Sequence, residues 1–234
     1  MRIRGTVTVL LAAALVAGCG SGGSSSDAKE SPPASVSGSP SASASEQAAE
    51  APADPLGAAQ LKSAAVSGAD VDGFQIADFP AKPAGGGTAA PAVCQPLENM
   101  RTASPEPDPR EFVGLLAYAD SGPAAGSATT VALMAYEESD AAGILDGLRT
   151  ALKSCTAYTG GVPARTTAET ATAPDAGDEA VAFHLQTEGD SSDAFVVVRS
   201  GATVVLFSTV SGTGSAAEVP EALVSAQIGK LEQA

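Results

Sequence analysis

The feature that most limits how this chain folds is a change in composition near residue 55. Residues 20–54 consist mainly of Ser, Ala, Pro and Gly, and large apolar residues are almost absent from them. A segment of this kind cannot bury enough surface to offset the entropy that it loses on ordering. We therefore predict a disordered tether that ends at residue 55, followed by a single folded domain at residues 56–234.

The first 18 residues have the pattern of a signal peptide. Arg2 and Arg4 precede an uncharged apolar stretch at residues 6–17, which is too short to span a bilayer as a helix. The stretch ends in "VAGC", which resembles the bacterial lipobox. The resemblance implies cleavage before Cys19 and transfer of a diacylglycerol to its thiol.

Two alternatives to the lipobox interpretation stay open at this point. The chain could carry an ordinary signal peptide with an incidental cysteine, or a retained anchor helix. If Cys19 is lipidated, its two or three acyl chains would hold the protein durably at the membrane, because a single chain binds only marginally. The predicted location of residues 19–234 is then the outer face of the cell membrane.

The charge of the chain excludes some partners. Its 12 basic and 27 acidic residues give a formal charge of −15. Such a surface repels phosphate backbones and anionic lipid head groups, so we predict no nucleic-acid partner and no membrane binding other than through the lipid on Cys19.

The folded part alternates strand-like runs with helical stretches. An apolar stripe at helical spacing predicts a helix from Asp140 to Tyr158, capped by Ser139 or Asp140 and ended by Gly160-Gly161. Shorter helices are predicted at residues 56–66 and 219–232, with a further turn of helix near residue 95. Strands are predicted at residues 73–79, 111–119, 128–137, 165–173, 179–187 and 194–210, the last a hairpin with Ser200-Gly201 at its turn. This order predicts an α+β domain, with a mostly antiparallel sheet and two or three packing helices.

Two cysteines remain once Cys19 is lipidated. Exported proteins meet oxidising conditions, so we expect a disulfide between Cys94 and Cys155. Two buried free thiols are the alternative. We predict no metal site, because the single histidine, His184, has no second histidine near it and two sulfur atoms do not make a zinc site.

No motif in the chain identifies an enzyme. His184 alternates with the apolar residues of its strand, which predicts that it faces solvent or a cleft. A Ser-His-Asp triad would need it, but there is no GxSxG turn, and no phosphate-binding loop is present in the folded part. The acidic pairs Asp178-Glu179 and Asp190/Asp193 follow glycines in turn-like stretches and are interpreted as solvated loops. We predict no catalytic residue and no cofactor.

The order of these features resembles the extracellular sensor domain of PknH-type mycobacterial kinases and the related stand-alone actinobacterial lipoproteins. The resemblance implies an α+β sandwich with a ligand cleft and no enzymatic role. The kinase sensor carries two disulfides, whereas this domain has cysteines for one. A fold of the photosystem PsbP type would give a similar pattern. The segments that carry the resemblance are Cys94, "TTVALMAYEES", "AAGILDGLRTALKSC", "GDEAVAF", "VVVRSGATVVLFS" and "ALVSAQIGKL".

Three functions compete on this evidence. The leading hypothesis is a lipid-anchored binding or sensor-like module whose ligand is an unknown small molecule or peptide. The alternative is an envelope protein that recognises another protein, and a hydrolase is the third possibility. Few aromatic and few basic residues favour a neutral or cationic, partly apolar ligand over a sugar or a phosphate. Tyr118, Tyr136 and His184 are the candidate polar groups at the edge of the cleft.

Overall fold

The computed structural model of the chain describes residues 54–79, 85–122, 124–211 and 216–234. The predicted signal peptide, Cys19 and nearly all of the predicted tether lie outside these residues. No helix within the described ranges is both long and apolar enough to cross a membrane.

The described residues form eight strands and four α-helices, which confirms the predicted α+β class and adds one helix to the expected number. A short 3-10 turn at Ala92–Cys94 leads into α2. The elements are α1 (Ala58–Ala64), β1 (Phe74–Phe79), α2 (Gln95–Arg101), β2 (Glu111–Ala119), β3 (Ser127–Ala135), α3 (Glu138–Ser154), β4 (Ala157–Gly160), β5 (Val162–Ala171), β6 (Glu179–Thr187), β7 (Ser192–Ser200), β8 (Thr203–Ser211) and α4 (Glu221–Leu231).

All eight strands belong to one sheet, in the order β1-β2-β3-β8-β7-β6-β5-β4. Every neighbouring pair is antiparallel. After β3 the chain passes through α3 to the far edge of the sheet, and β4 to β8 then return strand by strand. The last of them, β8, pairs with β3 and closes the gap, so the middle of the sheet joins residues far apart in sequence.

Helices cover the sheet on both faces. We call the side under α2 and α3 the α3 face, where Phe183 stacks on Phe195 with ring centroids 4.9 Å apart. We call the side under α1 and α4 the α4 face, where Val196 and Phe207 are buried. Successive residues of a strand point to opposite faces, so β6, β7 and β8 contribute to both cores.

Helix α3 differs from its prediction at both ends. It begins after Glu137, which makes no side-chain cap, and it ends at Ser154. Cys155 is already extended, and Tyr158 lies in β4, a strand that the sequence analysis missed. Both side chains are buried, so they extend the apolar stripe of the helix without belonging to it.

The predicted helix terminator Gly160-Gly161 has a different role. These glycines form the turn between β4 and β5, against the side chain of Glu98 in α2. A Cβ atom added to Gly161 would lie 2.6 Å from Oε1 of Glu98, so a larger residue would force that side chain to move.

The hairpin between β7 and β8 turns one residue later than predicted. Ser200 pairs with Thr203, which leaves Gly201-Ala202 as the two turn residues. Gly201 has a φ of 56°, in the left-handed region that two-residue hairpin turns require. Its N–H donates to Oδ2 of Asp178 at 2.7 Å, which fixes the turn against the start of β6.

The predicted disulfide is present. Cys94 and Cys155 are bonded, and both are buried. The bond joins the start of α2 to the end of α3 across 61 residues of sequence. The alternative of two free thiols does not apply to this structure.

Candidate ligand-binding site

A cleft opens on the α4 face, above β6 and β7. Strand alternation places Ala182 and His184 of β6, and Ala194 and Val196 of β7, on this face. Two of these four side chains are only methyl groups, so they leave room above the sheet. The residues that line the cleft are Ala171–Ala176, Ala182–His184, Ala194–Val196, Glu218, Val219, Glu221, Val224 and Ser225.

Two segments form the walls of this space, which we call the His184 cleft. One is the stretch 171–176 that leaves the end of β5. The other is the approach to α4 together with its first turn, at residues 218–225. The cleft has a volume of about 490 Å³, and the pairing of β6 with β7 makes its floor rigid.

His184 is the only imidazole in the chain. It lies between Glu169 of β5 and Ala194 of β7 and is partly exposed. Its ring makes no hydrogen bond or ion pair with any residue that the structure describes. The imidazole is therefore free to contact a ligand in the cleft that His184 lines.

The charged residues that line the cleft are all acidic. Asp175, Glu218 and Glu221 are among its lining residues, and none of its described lining residues is Lys or Arg. None of the three carboxylates makes an ion pair within the described ranges. The cleft thus combines apolar surface on its floor with uncompensated negative charge.

A second hollow lies on the other side of the segment that leads into α4. It has a volume of about 630 Å³ and is lined by Phe74, Ser121 and the segment 216–222. The two hollows share Glu218, Val219 and Glu221. The segment before α4 therefore separates two open spaces on the same face of the sheet.

The structure does not bring the three candidate polar residues together. His184 lies in the cleft, but Tyr118 is 48% exposed on the α3 face. Tyr136 is buried in the core of the α3 face, where its hydroxyl donates to Sδ of Met134 at 3.7 Å, and this burial raises its pKa. The expectation that Tyr136 lies at a cleft edge was wrong, because its side chain is 1% exposed and belongs to the buried core of the α3 face.

The acidic pair Asp178-Glu179 is structural rather than merely solvated. Nε of Arg199 donates to Glu179 at 2.5 Å, and Nη1 of Arg199 donates to Asp178 at 2.9 Å. Burial alone would raise the pKa of Glu179, but its hydrogen bonds from Arg199 and Arg149 lower it. No group of three or more His, Cys, Asp or Glu residues in the described ranges is arranged to hold a metal ion.

Sequence reasoning missed the acidic residues of the cleft. Asp175 lies in an irregular stretch, and Glu218 directly precedes a helix, so neither belongs to a periodic pattern. The connection from β5 to β6 carries Asp175 to the cleft that His184 lines, and the segment before α4 carries Glu218 there. No local signal in the sequence encodes these positions.

The chain matches no family model, and no curated protein matches its sequence. It is similar in structure to the extracellular domain of PknH from Mycobacterium tuberculosis, with a TM-score of 0.54 and 12% identity. That similarity covers 77% of this chain and 99% of the other. A protein of Mycobacterium smegmatis, the Rv0999 ortholog, is similar with a TM-score of 0.37 and 18% identity, over 74% of this chain and 94% of the other. The first similarity shows that the chain has a fold like that of the PknH extracellular domain, as the sequence resemblance predicted.

Proposed function

We propose that this chain is a lipid-anchored, extracytoplasmic binding module that acts without catalysis. The His184 cleft is the observation that carries the proposal. Its volume of about 490 Å³ lies within the range of small-molecule sites, about 300–1,000 Å³. An apolar floor with one free imidazole and a few charged groups is the usual composition of such a site.

Three independent features support the location. The lipobox-like sequence ends at Cys19, the folded part contains a disulfide, and the fold is similar to that of an extracellular domain. Disulfides persist in oxidising compartments. A lipid on Cys19 would hold the domain at the outer face of the membrane, and the segment up to residue 55 would act as a tether.

The surroundings of His184 favour binding over catalysis. A histidine that acts as a general base in a triad is oriented by a hydrogen-bonded carboxylate, and His184 has no such partner among the described residues. Burial raises the pKa of Asp193, but this residue lies on the α3 face, away from the cleft. The proposed module therefore holds its ligand unchanged.

Native mass spectrometry of the full chain, purified from the organism that encodes it, tests the binding function. We expect a retained small molecule that is lost when Ala194→Leu fills the cleft. Ala77→Leu, on the exposed surface of β1, is the matched control and should keep the molecule. Circular dichroism and an intact disulfide establish that both variants are folded. No retained mass, or the same mass in the filled variant, would contradict the proposal.

Substitution of the lipobox cysteine tests the anchor separately. The Cys19→Ser chain should lose labelling by a palmitate analogue and should remain uncleaved by the lipoprotein signal peptidase. It should also differ from the wild-type chain in mass by the retained residues 1–18. Unchanged labelling and processing would show that the resemblance to a lipobox is accidental.

A second candidate function is recognition of another envelope protein. The α3 face carries three exposed apolar side chains beyond the reach of the helices: Phe79 at 40%, Tyr118 at 48% and Val210 at 47% exposure. Tyr118 and Val210 stand on either side of Ala128, and all three side chains point to the same face. Exposed apolar surface of this kind marks interaction sites.

Site-specific photo-crosslinking in the native envelope distinguishes this second candidate from the first. A crosslinker at Tyr118 should capture one defined protein, and Val210→Asp should abolish the crosslink while His184→Ala leaves it unchanged. A crosslink that is insensitive to Val210→Asp, or no crosslink, would exclude the α3 face as the functional surface.

A further inference from the structure

The His184 cleft also restricts the chemical class of its ligand, an argument that rests on the proposed binding function. Its apolar surface comes from Ala182, Ala194, Val196 and Val224. These side chains offer no flat aromatic platform, because the stacked rings of Phe183 and Phe195 belong to the core of the α3 face. Apart from the ring of His184, the floor is therefore aliphatic and suits an aliphatic body.

The second restriction is electrostatic. Some acidic residues of the domain have a basic partner, as Asp70 has Lys230 and Glu98 has Arg101. Asp175, Glu218 and Glu221 have none in the described residues, although they line the same cavity. Three acidic residues around a cavity of mixed polar and apolar lining attract a cation, and their attraction is greatest at short range, where salt screens it least.

The residues around the His184 cleft do not suit a ligand of negative charge. An anionic ligand would meet three carboxylates and no described Lys or Arg in the cleft. The first turn of α4 presents backbone N–H groups, but that turn begins with Glu221, whose own carboxylate already lies there. A purely apolar ligand would desolvate these carboxylates without compensating them.

We propose that the His184 cleft binds an amphiphilic amine, with its aliphatic chain on the floor of β6 and β7 and its ammonium group toward Asp175, Glu218 and Glu221. A cation of this kind uses both features of the cleft at once. His184, on the floor, lies beside the bound chain and reports directly on its presence.

The single histidine makes the test direct. In the full chain without a histidine tag, the only imidazole resonances in a proton NMR spectrum belong to His184. The chain, held in dodecyl maltoside at constant concentration, is titrated with octylamine, octanol and octanoate. These probes share one aliphatic chain and differ in the charge of the head group. We expect a saturable shift with octylamine at concentrations at least ten times lower than with octanol or octanoate.

Matched charge variants separate local from long-range attraction. Glu218→Gln combined with Glu221→Gln should weaken octylamine binding at least fivefold, toward the affinity for octanol. Glu138→Gln combined with Glu232→Gln makes the same change in net charge outside the cleft and should leave the affinity unchanged. Equal losses in both double variants would overturn the proposed role of the cleft carboxylates.

The outcomes for the two proposals are distinguishable. If octanol or octanoate shifts His184 as readily as octylamine, the amine preference is wrong while the cleft remains a binding site. If none of the three probes shifts His184, an amphiphilic amine is excluded as the ligand class. The retained mass in the native spectrometry experiment then decides the binding function independently.

Discussion

The two faces of the sheet are closed in different ways. On the α3 face, a disulfide fixes α2 to the end of α3, and a buried ion pair lies beside it. On the α4 face, a buried glutamine and apolar contacts hold α1 and α4, with no covalent bond between elements in the described residues. The cleft lies on the second face. We infer that covalent closure of one face stabilises the sheet, while the other face provides the open site.

The ion pair on the α3 face joins Glu98 to Arg101, and its acidic residue is fully buried. Glu98 of α2 has no exposed surface, and its two carboxylate oxygens accept from Nη2 of Arg101 at 2.5 Å and from Nε at 2.8 Å. Arg101 is 21% exposed. Gly161 lies directly against the pair, so the turn between β4 and β5 depends on its geometry.

The corresponding polar contact on the α4 face is neutral. The Gln227 amide of α4 donates to the carbonyl of Ala64 at 2.8 Å and accepts from the N–H of Val66 at 3.0 Å. Both backbone groups lie at the end of α1, where helical hydrogen bonds are missing. The Gln227 side chain of α4 thus provides hydrogen-bond partners for two backbone groups at the end of α1.

Removing the disulfide should have the largest effect on stability. A crosslink that closes a loop of this length stabilises a folded chain by about 4 kcal/mol in the chain-entropy model. The Cys94→Ala/Cys155→Ala variant should therefore unfold at a lower urea concentration, with a loss of about that free energy. The wild-type chain under reductant should approach the same midpoint. Equal stability of the variant and the oxidised wild-type chain would show that non-covalent contacts close both faces.

Breaking the buried ion pair should have the next largest effect. Arg101→Met leaves the Glu98 carboxylate buried without a partner, which we expect to cost about 3 kcal/mol. Replacing both residues by Glu98→Leu/Arg101→Met should recover part of that loss, because no charge is then buried.

The pair Asp146 and Arg149 provides the control, since it has the same sequence spacing on the surface of α3. Asp146→Asn removes this pair and leaves the contact of Arg149 with Glu179 in place, so it should cost about 1 kcal/mol or less. Urea unfolding measures all three variants. A loss for Arg101→Met no larger than that for Asp146→Asn would mean that solvent reaches Glu98 and that the α3 face is not fully closed.

Replacing the buried glutamine should have a smaller but clear effect. Gln227→Leu keeps an apolar volume but leaves the carbonyl of Ala64 and the N–H of Val66 unsatisfied, which costs about 2 kcal/mol. Gln233→Leu, on an exposed residue just beyond α4, should change the unfolding free energy by about 0.5 kcal/mol or less. If the two substitutions have equal effects, apolar packing alone holds α1 and α4 on the sheet.

The extent to which the sequence predicted the structure differs between these regions. The bounds of β2 and β6 agree with their predictions, because each is a continuous run of strand-forming residues between turn signals. The end of α3 does not, because Cys155 and Tyr158 continue the apolar spacing after the backbone has left the helix. There, the disulfide and pairing with β5 override local periodicity.

The candidate site was predictable only in part. Alternation along β6 predicted that His184 faces solvent or a cleft, and the structure places it in a cleft on the α4 face. This alternation could not show which residues lie across the cleft from His184. Their positions depend on the pairing of β3 with β8 and on the position of α4, which exist only in the folded chain. Tyr136 illustrates the same limit: it was a candidate polar group at the cleft edge, whereas the structure buries it in the core of the α3 face.

The smallest predicted effect concerns an exposed contact on the α4 face. Oδ2 of Asp70 accepts from Nζ of Lys230 in α4 at 2.8 Å and from the N–H and the hydroxyl of Ser67 at 2.7 Å. The hydrogen bond from Lys230, followed by those from Ser67, lowers the pKa of Asp70 from 3.8 to about 2. Because the pKa is lower in the folded chain, ionised Asp70 stabilises the fold above about pH 4, and this contribution is lost as the pH falls from about 4 to about 2.

The difference in unfolding free energy between the wild-type and Asp70→Asn chains, measured by urea titration, should therefore be constant above that range and vanish below it. Asp72→Asn removes the same charge from the same loop, where the described residues provide no ion pair, and should show no such change. Identical pH curves for the two variants would mean that Lys230 does not tie the end of α4 to this loop, and that apolar contacts and Gln227 alone hold α4 beside the cleft.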